Sequence, residues 1–291
     1  MDAPMRSLLY TPGHRAPMVS RVLDGGLPVS PDVALLDLED GVPQPEKENA
    51  RRILADAIAS SRGRSLRYVR ITRGTKEAVR ADLAAVVRAG LDGVVVPKIA
   101  RAEELAAMDE VLLTHERAAG LPDRAVRVIA AIETAAGLLE APGIARGPRV
   151  VGVMFGSEDF AADLGLPTQR EGEAADLLYA RSAIVVAAAA ARVLAFDGIW
   201  ANFKDSAGLR ADGLRGRRLG FSGRQCIHPD QIAIVNEIYA PSADEIAHAR
   251  RVVSAFEDAV KRGLGAVALD GEMLDAPIVE RARRTLKTAG S

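Results

Sequence analysis

The sequence contains one cysteine, Cys226. A lone cysteine closes no internal disulfide, so a disulfide-stapled scaffold is excluded and a reducing cytoplasm is the expected compartment. No apolar run approaches the roughly 18 residues of a membrane-spanning helix, so no transmembrane segment is expected. Arg6 is followed only by the short apolar stretch Leu8-Leu9-Tyr10, too brief for the core of a signal peptide. Charge of one sign is not in surplus, since 38 Lys and Arg face 39 Asp and Glu for a formal net charge of −1. That balance argues against nucleic acid or an anionic membrane as partner. No Gly-x-Gly-x-x-Gly follows the first strand candidate, so the dinucleotide-binding fingerprint is missing too.

What remains is a chain of 291 residues, 48% of them hydrophobic, enough for the core of one large α/β domain. Short β-branched runs alternate with longer Ala-, Arg- and Glu-rich stretches. The runs at 7–11, 33–38, 66–71, 93–97, 126–132, 150–155, 196–200 and 224–227 are strand candidates. Helix candidates lie between them, at 45–60, 75–89, 102–119, 134–144 and 173–194. Eight strands alternating with helices predict a (β/α)₈ TIM barrel over residues 1–240. A doubly wound sheet is the alternative, usually with fewer strands. Residues 241–291 read as a C-terminal helical extension and lid. Its first helix spans 242–262, with Ser242 as N-cap and Glu245 completing a capping box. Such a tail has to pack over its own barrel mouth or onto a neighbouring subunit.

The chemistry-bearing residues stand where apolar strands stop, the end at which parallel sheets bind ligands. Glu133 follows Val128-Ile129-Ala130-Ala131-Ile132, and Asp159 follows the strand ending Phe155-Gly156. Two hard carboxylates on successive strand ends suit Mg²⁺. Leu36-Asp37-Leu38-Glu39-Asp40-Gly41-Val42 crowds three acids, which calls for a cation or basic side chains nearby. A solvated Asp-Gly turn is the plainer alternative. Arg70 closes the third strand and can hold a carboxylate through paired hydrogen bonds, or pair internally with Glu39 and Asp40. Lys98 closes the fourth and can bind an anion, form a Schiff base, or serve in a structural ion pair. Glu133 could instead cap the following helix, and Asp159 could begin a turn. Glu158 reads as a neighbour of the site. His228, in Ile227-His228-Pro229, reads first as a loop lock and second as an acid/base group or a ligand. His14, His115 and His248 form no constellation. The stretch 205–223, rich in Gly and carrying Arg210, Arg215, Arg217 and Arg218, reads as a solvated basic loop, with phosphate binding as the alternative.

Together these segments resemble the citrate lyase beta-subunit family of CoA-ester lyases, of the HpcH/HpaI aldolase superfamily. The resemblance runs through Arg6-Ser7-Leu8-Leu9-Tyr10-Thr11-Pro12-Gly13, Asp37-Leu38-Glu39-Asp40-Gly41-Val42, Val69-Arg70-Ile71 and Val96-Pro97-Lys98. It continues through Ile132-Glu133-Thr134-Ala135-Ala136-Gly137, Phe155-Gly156-Ser157-Glu158-Asp159, Leu219-Gly220-Phe221-Ser222-Gly223-Arg224 and Ile227-His228-Pro229-Asp230-Gln231-Ile232. It implies a (β/α)₈ barrel assembled as a homotrimer or hexamer. It implies Mg²⁺ on Glu133 and Asp159, with Arg70 and Glu133 at the substrate and Glu39 and Asp40 among the catalytic groups. Tyr10 and Arg21 are the implied contacts to coenzyme A. Gly271-Glu272-Met273-Leu274-Asp275-Ala276-Pro277 is similar to the lid of malyl-CoA and citramalyl-CoA lyases, which implies that Asp275 is catalytic in a neighbouring subunit's site. Four positions depart from the pattern. Thr72 stands where Asn is common, Arg224 replaces a frequent lysine, and Arg21 and Pro17 stand where relatives carry lysines that meet CoA phosphates.

The implied activity is Mg²⁺-dependent cleavage of a 3-hydroxyacyl-CoA to acetyl-CoA and a 2-oxo acid, pyruvate or glyoxylate. A citrate lyase beta-like subunit working on a carrier-bound thioester, and a CoA-independent Mg²⁺ aldolase for hydroxy-keto acids, are the alternatives.

Overall fold

The computed structural model describes residues 3–167 and 175–290. Eight parallel strands close into a barrel in sequence order: β1 (Ser7–Pro12), β2 (Val33–Asp37), β3 (Leu66–Arg70), β4 (Gly93–Val96), β5 (Arg127–Ile132), β6 (Val150–Phe155), β7 (Leu194–Asp197) and β8 (Gly223–Cys226). Closure is made by β1 against β8, with Leu8 opposite Gln225. The helices are α1 (Ala16–Leu23), α2 (Lys47–Ser60), α3 (Lys76–Val86), α4 (Ala102–Ala118), α5 (Ala135–Leu139), α6 (Ala141–Ala145), α7 (Ser157–Asp163), α8 (Leu178–Ala191), α9 (Ser206–Leu219), α10 (Asp230–Tyr239), α11 (Ala243–Lys261) and α12 (Ala276–Ala289). A short hairpin, β9 (Val267–Leu269) with β10 (Glu272–Leu274), precedes α12. The fold is the (β/α)₈ barrel that the alternation of elements predicts. No helix among the described residues is long and apolar enough to cross a membrane.

The chain divides into two compact units, Met1–Asn236 and Glu237–Ser291, the division falling within α10. In the first unit the barrel is filled by Leu8, Val33, Leu35, Tyr68, Val95, Ile129, Ala131, Met154 and Phe196. These recur at every second residue along a strand, the period that turns alternate side chains inward. In the second unit Ala249 and Val252 of α11 pack with Leu274, Val279 and Ala282 around α12. Ser242 caps α11, its hydroxyl accepting from Glu245 N while the Glu245 carboxylate accepts from Ser242 N.

The helix expected at 134–144 is two, α5 and α6, and of the one expected at 173–194 residues 173–174 lie outside the described residues and the α-helix begins at Leu178. Two further expectations need correction. The seventh strand is Leu194–Asp197 and not 196–200. Gly198 and the residues after it turn out of the sheet, and the apolar look of Ile199-Trp200 belongs to a half-buried loop. The stretch 205–223 is no basic loop. Asp205 caps Gly208 N, and the helix α9 follows directly, ending at Gly220 with φ of 113°. Gly208, Gly213 and Gly216 weaken helix propensity one residue at a time. Here Leu209, Asp212, Gly213 and Gly216 are buried, so packing of that face overrides the propensity.

Candidate active site

The inward period of each strand runs on from core to chemistry. On β2 it passes Val33 and Leu35 to Asp37, on β3 Leu66 and Tyr68 to Arg70, and on β5 Ile129 and Ala131 to Glu133. The register places Asp37 directly beside Arg70. Arg70 forks onto Asp37 with Nε to Oδ1 and Nη2 to Oδ2, both at 2.7 Å. The same carboxylate accepts from Glu39 N at 2.9 Å and Gly41 N at 2.8 Å. Asp37 thus fixes both the arginine and the acidic loop, a role that the acid cluster of the sequence did not single out. The third nitrogen, Nη1, lies 3.1 Å from Glu39 Oε2 and 4.0 Å from Asp40 Oδ2. Burial alone would lower the Arg70 pKa, but the hydrogen bonds and charge of Asp37 hold it above the ordinary value.

Glu39 and Glu133 are both buried acids. Burial, with Asp40 and Asp37 adding to it against Arg70 and Lys98, pushes Glu39 up to about 7. Glu133 is likewise pushed to about 7, by burial first and then by the charges of Glu39 and Asp159. The Glu133 Oε2 is buried without a hydrogen-bond partner among the described residues. Thr134, and not Glu133, caps α5 by accepting from Gly137 N at 3.1 Å. Asp159 stands in the first turn of α7 and pairs with Lys98 Nζ at 3.0 Å, while the same ammonium lies 3.8 Å from Asp40. Desolvation would lower the Lys98 pKa, and the hydrogen bond and charge of Asp159 raise it. Lys98 is therefore in an ion pair and charged, not a neutral amine poised for a Schiff base.

Two further groups set the geometry. The Tyr10 ring lies under the Arg70 guanidinium, 4.8 Å from carbon to centroid. Its hydroxyl donates to Gln225 Oε1 at 3.0 Å, and Gln225 Nε2 donates to the carbonyls of Phe155 and Asp197, at 2.8 and 2.9 Å. Lys47 of α2, buried, donates to the carbonyls of Leu38 and Glu39. Thr72 hydroxyl donates to Leu38 O as well, at 2.8 Å. Gln225 and Lys47 carry no motif in the sequence, and only the fold shows what they hold.

The family model for HpcH/HpaI aldolase/citrate lyase matches residues 6–229. This chain belongs to that family. The citrate lyase subunit beta of Escherichia coli (strain K12) is 37% identical over 287 residues, 98% of this chain and 93% of the relative. A (3S)-malyl-CoA thioesterase of Cereibacter sphaeroides (strain ATCC 17023) is 36% identical over 287 residues, 98% of this chain and 95% of the relative. Among solved structures, the protein CitE from Mycobacterium tuberculosis in complex with magnesium, acetoacetate and coenzyme A has a TM-score of 0.78 at 32% identity, covering 100% of both chains.

Several residues that the family resemblance implicates make contacts of their own, each within its own unit. Arg21, on α1, is exposed and donates through Nε to Gly26 O at 2.9 Å, and Pro17 occupies the first turn of the same helix. Asp275 belongs to the second unit, where it caps α12 by accepting from Ile278 N at 3.3 Å. Arg224 is buried against Asp197 and Asp212, at 3.4 and 2.6 Å, so it serves the fold and is not a surface cation for a CoA phosphate. His228 stacks on Phe203 with centroids 4.6 Å apart, and its Nδ1 accepts from Asp230 N at 3.3 Å, which makes it the loop lock.

The Glu133 and Asp159 pair fits a magnesium ion. No group of three His, Cys, Asp or Glu side chains among the described residues gathers as a metal cage. Mg²⁺ does not need one, because it keeps several waters and takes one or two carboxylates. The unpartnered, buried Glu133 oxygen is an acceptor that a cation would satisfy.

Proposed function

We propose that the chain is a Mg²⁺-dependent carbon–carbon lyase that reversibly cleaves a 3-hydroxyacyl-CoA, of citramalyl-CoA or malyl-CoA type, into acetyl-CoA and pyruvate or glyoxylate. The observation that carries the reading is the charge pattern of the barrel mouth. Two buried glutamates are pushed to about 7 beside an arginine already anchored by its own aspartate. Family membership and the magnesium, acetoacetate and coenzyme A of the CitE complex support it.

Bound by Glu133 and Asp159, Mg²⁺ supplies Lewis-acid polarisation of the substrate's hydroxyl and carboxylate oxygens. Arg70 offers Nη1 to the carboxylate, while its fork on Asp37 keeps the guanidinium plane fixed. Glu39 has a pKa suited to taking the hydroxyl proton near neutral pH. As the carbonyl forms, the carbon–carbon bond breaks and its electron pair passes to the thioester enolate. Asp275 of a neighbouring copy gives that carbon its proton. Tyr10 backs the arginine, and Asp40 and Lys98 set the charge of the rim.

The test is a turnover screen of purified protein with malyl-CoA, β-methylmalyl-CoA, both citramalyl-CoA enantiomers and citryl-CoA, products identified. Acetyl-CoA plus a 2-oxo acid is the expected outcome, abolished by EDTA and restored by Mg²⁺. Full activity after EDTA, or in both Glu133→Ala and Asp159→Ala, would remove the metal from the reading. The 36%-identical thioesterase favours a second outcome, hydrolysis to a free hydroxy acid and coenzyme A, which the same product analysis separates. A carrier-bound thioester as substrate, the alternative in which the chain works as a citrate lyase beta-like subunit, would be excluded by turnover of free thioester by the purified protein.

A further inference from the structure

Lys98 stands in a backbone conformation that lysine rarely adopts. Its φ is 52°, in the left-handed region, which costs free energy for any residue with a Cβ. The surrounding fold holds it there. The Arg73 guanidinium donates to the Lys98 carbonyl, and Ile99 N donates to Ala131 O at 3.2 Å. The Glu104 carboxylate accepts from Ala100 N and Arg101 N, at 3.1 and 3.0 Å. A Cβ on Gly137 would meet Ile99 O at 2.4 Å, so the start of α5 packs directly on the same loop. Strain held by this many contacts, at the ligand end of a barrel strand, points to a side chain whose place matters.

That place is between two carboxylates. Lys98 Nζ lies 3.0 Å from Asp159 Oδ1 and 3.8 Å from Asp40 Oδ2. The two acids differ in what else they can do. Asp159, with Glu133, fits a magnesium ion, whereas Asp40 is exposed at the rim. Arg70 is committed to Asp37 and Glu39, so Asp159 takes its cation from Lys98 among the described residues. Lys98 and Asp40 line one cavity of about 460 Å³, which gives the flexible ammonium room to move toward Asp40. A divalent ion on Asp159 attracts the carboxylate more strongly than a single charge does, and it repels the ammonium beside it.

We propose that Lys98 is the resident counter-cation of the metal site: it neutralises Asp159 until a divalent ion arrives, then yields that carboxylate and stays paired with Asp40. The proposal rests on the Mg²⁺ reading of Glu133 and Asp159 above. It makes the lysine a competitor of the metal and not a support for it.

Calorimetric titration of the intact protein with Mg²⁺, at about pH 8.5 so that the carboxylates are ionised, tests this without turnover. Lys98→Met should bind Mg²⁺ about fivefold more tightly than the natural protein, the worth of one half-exposed ion pair. Lys98→Arg keeps the charge and should bind as the natural protein does. A lysine that merely supports the site gives the opposite sign, so unchanged or weaker binding by folded Lys98→Met overturns the proposal. A second measurement needs no variant and decides the matter if Lys98→Met does not fold. Under limited acetylation with acetic anhydride, read by peptide mass spectrometry, Lys98 should label faster in saturating Mg²⁺ than in EDTA. The exposed Lys76 and Lys261 should label alike in both. Equal labelling of Lys98 in the two conditions overturns the displacement. Mg²⁺ binding with an unmoved Lys98 sinks only this proposal, whereas no Mg²⁺ binding by any form sinks the metal reading and the proposal with it.

Discussion

Gly156 is the next inward position after Met154, and it has to be glycine because of a residue on the neighbouring strand. A Cβ there would meet Glu133 Cγ at 2.4 Å and Cδ at 2.9 Å. The Gly156 φ is −85°, which alanine adopts without strain. Gly156→Ala therefore acts through one side-chain collision, and the glutamate has to leave its place. We expect kcat/KM to fall at least about tenfold, the cost of moving a reacting group by a fraction of an ångström or more. Thermal unfolding should shift little, and a matching loss of Mg²⁺ affinity by calorimetry would locate the effect at Glu133. Asp37 predicts a different pattern, in which stability falls along with activity. It accepts four hydrogen bonds, two from Arg70 and two from the acidic loop. Asp37→Asn cannot neutralise the arginine, and breaking one side of such a buried pair costs about 3 kcal/mol. Urea unfolding should show that loss together with the loss of activity.

At the level of elements, strands β2–β5 were legible because their apolar runs are buried and stop at or just before the charged residues Asp37, Arg70, Lys98 and Glu133. β7 was not, because the apolar Ile199 and Trp200 extend its pattern past the point where Gly198 leaves the sheet. α9 was hidden by its glycines, two of which, Gly213 and Gly216, lie on its buried face. The acids and Arg70 could be found in the sequence as strand-end charges, but which acid holds the arginine depends on register, and register is a property of the closed barrel. An ion network at the starts of β5 and β6, on the opposite rim, was also invisible. Asp109 of α4 accepts from Arg124 at 3.0 Å and from Arg149 at 2.6 Å, and Glu116 joins Arg149 at 2.6 Å. Burial would raise the Asp109 pKa, but the two arginines outweigh it and hold the carboxyl below the usual range. A depressed carboxylate pKa contributes stability that is present above the unfolded value, about 4, and lost as pH falls through the folded value. Asp109→Asn should cost roughly 2 kcal/mol at neutral pH. The gap to the natural protein should close below about pH 4 in denaturant melts. A gap independent of pH would make the contribution one of packing.

At the scale of the whole molecule, the proposed reaction draws residues from both units of the chain. Barrel residues Glu133, Asp159 and Arg70 belong to the first unit and Asp275 to the second. Asp275 is exposed at the start of α12, accepting one long hydrogen bond, from Ile278 N, among the described residues. The lid reading assigns it to the barrel mouth of a neighbouring copy, in a ring whose head-to-tail contacts close on themselves. Arg70→Ala and Asp275→Ala should each be inactive as pure proteins. Mixed in equal amounts and allowed to exchange subunits, random assembly pairs an intact barrel with an intact lid at about a quarter of the sites. Activity should return to about that fraction of the natural level. The recovery should require exchange, followed by mass spectrometry of differently tagged chains. Full exchange with no recovery would mean that each barrel uses its own lid, and Asp275 would then have to reach the acids of its own chain.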